Sequence, residues 1–121
     1  MKKFTKSIAA MATALVGLMA AQPSQAAYPD RPIRLIMPYA AGGLSDILAR
    51  ALAQELSDEL GQSVVVENKT GAGGVIGTDI VAKAKADGYT IGVISQGLAS
   101  VNTSLYKNLP YNTLRDLKPV S

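Results

Sequence analysis

The chain has 121 residues, with 12 lysines and arginines against 9 aspartates and glutamates and neither cysteine nor histidine. Without cysteine there is no disulfide scaffold or thiolate metal site, and without histidine there is no conventional zinc site. Three of the cations, Lys2, Lys3 and Lys6, fall in a basic leader, so residues 27–121 carry equal numbers of basic and acidic side chains. With charge balanced and no basic stripe interleaved with aromatics, nucleic acid is not an expected partner.

Behind the leader lysines, residues 8–21 form an apolar, alanine-rich core, and Ser24, Gln25 and Ala26 place small residues where a signal peptidase reads them. Residues 1–26 are therefore expected to be a secretory signal removed after Ala26. Gln22, Pro23, Ser24 and Gln25 interrupt the apolar run before it reaches the roughly 20 residues needed to cross a bilayer. The mature chain is not expected to span a membrane.

Tyr28 to Pro32 reads as extended chain, and residues 33–37 as a buried strand ended by Pro38. Ser45 or Asp46 is the expected cap of a helix in which Leu48, Leu52, Leu56 and Leu60 recur at fourfold spacing, a stripe expected in the core, and Gly61 closes it. Residues 63–67 form the next strand candidate, residues 77–85 an alanine-rich helix with Ile80, Val81 and Ala84 available for packing, and residues 89–94 a third strand after the Asp87-Gly88 turn. Alternating strands and helices predict parallel α/β units with right-handed crossovers. Further on, residues 100–105 could start a short helix and residues 114–117 a polar helical fragment. Pro119 and Val120 suggest the approach to another strand, so the visible sequence is expected to be part of a larger fold.

Three turns follow the three strands. Residues 38–46 (PYAAGGLSD) and 68–77 (NKTGAGGVIG) are glycine-rich, and Gln96-Gly97 supplies the third. Turns of this kind expose backbone N–H groups at helix mouths and hold an anion without a charged side chain. Gly42 and Gly43 permit close approach, the amides near Ser45 and Asp46 leave the first helical turn, and the Ser45 hydroxyl adds a donor. A free Asp46 carboxylate would repel an anion, so its expected work is capping amides or accepting from an amino or hydroxyl group of a ligand. Each turn is also compatible with a plain strand-to-helix connection. The second turn is not a dinucleotide fingerprint, because Ile76 stands where a third glycine belongs, and it lacks the lysine ending of a phosphate-binding loop. No enzyme is expected. Ser45 has no Ser-Lys or Ser-His-Asp partners, and Asp46, Asp79 and Asp87 have capping, helix-surface and turn explanations.

The sequence resembles the periplasmic solute-binding receptors of tripartite tricarboxylate transporters, the Bug or TctC-like proteins. The resemblance rests on residues 28–43 (YPDRPIRLIMPYAAGG), 60–68 (LGQSVVVEN), 71–74 (GAGG), 87–90 (DGYT) and 104–111 (SLYKNLPY), which occur in the family's order. It implies a type II periplasmic-binding-protein-like fold, a parallel-sheet α/β sandwich, with residues 27–121 forming only the first part of domain 1 of a clamshell receptor. It also implies a periplasmic location, a small carboxylated solute as ligand, membrane transporter subunits as partners of the full-length form, and no cofactor or metal. The matching loops would place Tyr39, Ala41, Gly42, Gly43, Ser45 and Asp46 of the first turn, Gly73 and Gly74 of the second, and Ser95, Gln96 and Gly97 of the third around the solute. Leu44 stands where the family commonly has glycine. The alternative is a truncated, vestigial or structural secreted α/β fragment without solute-binding activity.

Overall fold

Residues 27–120 are described in a computed structural model, and the expected leader lies outside them. Strand β1, Ile33–Met37, is buried at Ile33, Leu35, Ile36 and Met37, as a central strand covered on both faces must be. It ends where Pro38 withdraws a backbone N–H. β1 pairs in parallel with β2, Val64–Asn68, with Ile33 opposite Val64 and Met37 opposite Asn68. On its other side it pairs in parallel with β3, Thr90–Gly92, with Arg34 opposite Thr90 and Ile36 opposite Gly92. The sheet order is β2-β1-β3. Because all three strands run the same way, the loops that follow them emerge at one edge.

Helix α1, Leu44–Leu60, lies on the face that carries Ile33, Leu35, Met37 and Val64. It closes at Gly61, whose φ of 66° lets its N–H reach back to the Ser57 carbonyl. The face it presents to the sheet is not the expected leucine stripe. Ala49 and Ala53 are the buried residues, Leu56 is half-buried, and Leu48 and Leu52 are 61% and 47% exposed. Small side chains let the helix axis approach the strands closely, which rotates the larger leucines to its flank. There Ser45, Leu48, Ala49, Leu52 and Val93 line a shallow apolar groove beside β3. Fourfold spacing identifies a helical face; it does not say which neighbour that face meets.

Helix α2, Val75–Ala82, covers the opposite face, where Ile36 projects and Val81 lies against Gly92 so closely that a Cβ there would sit 2.7 Å from the valine methyl. The expected packing residues Ile80, Val81 and Ala84 are half-buried, while Val75, Gly77 and Thr78 are the buried ones. The result is a parallel sheet sandwiched between helices.

At the edge of the sheet where β1 and β3 begin, two separated sequence motifs meet. Tyr28 donates to the Gly88 carbonyl, the Tyr89 hydroxyl donates to Asp30 Oδ1 at 2.6 Å and accepts from the Asp30 N–H, and Arg31 stacks over the Tyr89 ring while pairing with Asp87. The chain continues through a wide helical turn at Gly97–Val101, α3 at Asn102–Leu105 and α4 at Thr113–Asp116. Buried Leu98 and Tyr111 anchor this segment.

Candidate functional site

The three post-strand loops gather at the carboxyl edge of the sheet, where open α/β sheets bind ligands. In the first loop Gly42 has φ 85°, a left-handed conformation suited to glycine, and Gly43 is the extended N-cap of α1. Residues 40–45 are exposed, so the loop that opens α1 faces solvent, while the Gly42 and Asp46 amides are bonded within it, to the Asp46 carboxylate and the Gly43 carbonyl. Leu44 adopts ordinary helical backbone, needing no glycine, and its side chain is exposed beside those amides.

Asp46 is buried beneath this loop, 3% exposed. Its Oδ2 accepts from the Gly42 N–H at 2.9 Å and from Arg50 Nε at 3.0 Å, and its Oδ1 accepts from Asn68 Nδ2 at 2.8 Å. The same Asn68 amide donates to the Tyr39 carbonyl at 3.0 Å, and Arg50 Nη2 donates to Asn68 Oδ1 at 3.1 Å. Both ends of the glycine turn are thus tied to one carboxylate and one carboxamide. The Gly42 amide first, then Asn68 and Arg50, hold the Asp46 carboxyl down at about 2. The N-cap of α1 is Gly43, with no side-chain cap bond, so Ser45 and Asp46, the expected caps, fall inside the first helical turn; Asp46 instead accepts the Gly42 N–H just ahead of the cap.

The second loop passes through positive φ at Gly71, Ala72, Gly73 and Gly74 before α2. Gly73 is exposed; Gly74 is buried, with a Cβ there meeting Leu98 Cδ2 at 2.5 Å. Gly77 is equally constrained, since its Cβ would lie 2.6 Å from the Lys69 carbonyl and 3.0 Å from Pro38 Cα. This close approach seats α2 against the ends of β1 and β2.

In the third loop Ser95, Gln96 and Gly97 are all exposed. The Ser95 hydroxyl is 2.6 Å from the Tyr39 hydroxyl and accepts from the Leu98 N–H at 3.4 Å. The Gln96 carbonyl accepts from Ser100. First and third loops are therefore linked directly, and second and third touch through Gly74 and Leu98. Sequence reasoning missed Arg50 and Asn68. Arg50 was signalled by its fourfold spacing from Asp46; Asn68 becomes visible only once the parallel register sets it beside Met37. The site offers an exposed loop at a helix mouth and two hydroxyls, with its nearest cation already paired. Among the described residues no cluster of three or more acidic, histidine or cysteine side chains is placed to hold a metal.

Residues 48–121 match the model of the tripartite tricarboxylate transporter family receptor. Protein BugT of Bordetella pertussis is 52% identical over 104 residues, which are 85% of this chain and 32% of that protein. The periplasmic binding protein BugD superposes with a TM-score of 0.73 at 48% identity, over 77% of this chain and 31% of that one. Rpa4515 of R. palustris, solved with adipate, superposes with a TM-score of 0.73 at 39% identity over the same 77% and 31%. The chain thus spans about a third of the length of the relatives it matches. Its parallel sheet, helix-covered on both faces with loops converging at one edge, is part of a type II periplasmic-binding-protein fold. The chain belongs to the tripartite tricarboxylate transporter receptor family.

Proposed function

We propose that this chain serves in periplasmic capture of a small carboxylated solute, which the receptor delivers to a tripartite tricarboxylate-type membrane transporter. The carrying observation is the convergence of the exposed loop at the mouth of α1 with the hydroxyls of Tyr39 and Ser95 at one sheet edge. That arrangement suits a carboxylate: the helix dipole and N–H groups meet the charge, and the hydroxyls orient it. The adipate bound by Rpa4515 supports the same ligand class. Ala41, Gly42, Gly43 and Ser45 supply the first wall with Tyr39, Gly73 the second, and Ser95, Gln96 and Gly97 the third; Asp46 and Gly74 shape these walls from beneath. The mechanism is binding, domain closure and docking to transporter subunits, with no covalent step. Export is directed by residues 1–26, with the mature protein starting at Ala27.

Calorimetric titration of the full chain with C4 to C6 dicarboxylates tests this reading. Saturable binding that is lost when Gly43 becomes valine supports it; the absence of binding to every carboxylate, with the fold intact, contradicts it.

A further inference from the structure

Asp46 places a buried negative charge directly behind the amides proposed to receive an anion. Left alone, that charge would oppose an incoming carboxylate and offset the positive end of the α1 dipole. The cation that meets it is Arg50, one turn along α1, whose Nε donates to Asp46 Oδ2 at 3.0 Å while Nη2 holds Asn68 Oδ1 at 3.1 Å. The other cations near the end of β2 are directed elsewhere: Arg34 makes a two-pronged contact with Glu67 at 2.7 and 3.0 Å, and Lys69 pairs with the same carboxylate at 3.3 Å. In the β1–β2 register Glu67 lies opposite Ile36 and Asn68 opposite Met37, so the two acidic clusters occupy opposite faces of the sheet.

Resting on the carboxylate-binding reading, we propose that Arg50 is a specificity-determining positioning residue: by neutralising Asp46 and bridging it to Asn68, it lets the first loop prefer a carboxylate over an uncharged isostere. It acts through Asp46 and not by touching solute. Arginine suits the task because its planar fork meets Asp46 and Asn68 from two nitrogens, whereas a lysine would keep the charge and lose the bridge. Its side chain is 53% exposed, so solvent screens part of the effect and the expected change in preference is modest.

Acetate and acetamide have the same shape and differ in charge, which makes them suitable probes. In the full chain, titrations followed by amide NMR at Gly43, Leu44 and Ser45 should show wild type favouring acetate. Arg50→Gln should cut the acetate-to-acetamide preference by about two- to fivefold. Arg50→Lys should retain the preference while weakening both probes, and pairing Arg50→Gln with Asp46→Asn should restore it. Equal weakening of both probes in Arg50→Gln means a merely structural role and overturns the proposal, as does an unchanged preference. Wild type with no acetate response at these amides contradicts the binding reading and the specificity claim with it. The carboxyl carbon of Asp46, titrated in wild type and Arg50→Gln, separates the two failures: its midpoint rises if Arg50 compensates the charge and stays put if it does not.

Discussion

The hydroxyl of Tyr39 and the hydroxyl of Ser95 lie 2.6 Å apart, joining loops that follow two neighbouring parallel strands and are 56 residues apart in sequence. Neither side chain is charged, yet together they fix the gap between the first and third walls of the candidate site. Tyr39→Phe removes one partner and leaves the ring packed against the core cluster. The expected cost is about 0.5–1 kcal/mol in denaturant unfolding, because water replaces the lost partner at this exposed bond. Exchange of the Leu98 amide, which Ser95 accepts, should quicken in the same variant. Unchanged exchange would mean that the third loop is held without Tyr39.

Two glycines of the glycine-rich turns should respond differently to enlargement. Gly77→Ala drives a methyl into the Lys69 carbonyl and Pro38 and is expected to destabilise by about 1–3 kcal/mol. A Cβ on Gly43 meets only the Ala40 carbonyl at 3.8 Å, and the backbone there has negative φ. Gly43→Val should therefore cost about 1 kcal/mol or less, mostly from the poorer N-cap, while weakening carboxylate binding. Thermal unfolding alongside calorimetry distinguishes the pair, and a Gly43→Val protein that folds and binds normally would remove the first loop from the site.

The contrast between expected and observed helix faces shows where sequence was informative. Strand β1 was legible to the residue because its apolar run is bounded by Pro38, and Gly61 marked the end of α1 by chemistry that operates locally. The side of α1 that packs was not legible. A leucine stripe and the Ala49–Ala53 strip lie a fraction of a turn apart, and only the depth of the sheet beneath chooses between them. The pairing of Tyr28, Asp30 and Arg31 with residues 87–89 was likewise hidden, since it depends on which strands become neighbours. In the site, glycine turns announced the loops, whereas Asn68 was silent because its role is set by register alone.

Packing through alanine carries its own prediction. Ala53→Leu should destabilise by about 1–3 kcal/mol by pushing α1 off the sheet. Leu48→Ala, at a position 61% exposed, should cost less than about 1 kcal/mol in the polypeptide of residues 27–121. A larger loss for Leu48→Ala than for Ala53→Leu in chemical unfolding would restore the leucine stripe as the buried face.

Acid should loosen the fold through three carboxylates: Asp116 of α4, held at about 2 by Arg115 and the Asn112 N–H, and two that bear on the sheet. Asp46, held at about 2 by the Gly42 amide, Asn68 and Arg50, and Glu67, held at about 2 chiefly by Arg34, both titrate below their ordinary values of 3.8 and 4.5. Each therefore contributes stability that is complete above its ordinary value and is lost as pH falls toward 2. Unfolding midpoints should be level above pH 5 with respect to these groups and decline between about pH 4.5 and 2. Asp46→Asn should flatten part of that decline, and a profile with the same slope in the variant would show that Asp46 is not a source of it.

Amide NMR of the full chain titrated with adipate asks whether one sheet edge receives a carboxylate through the loop opening α1. The predicted result is saturable shifts centred on residues 42–45 and 95–97, with little change around the Tyr28–Tyr89 cluster at the opposite edge. Shifts confined to that cluster or to residues 99–114, or none at any residue while the protein stays folded, would contradict it.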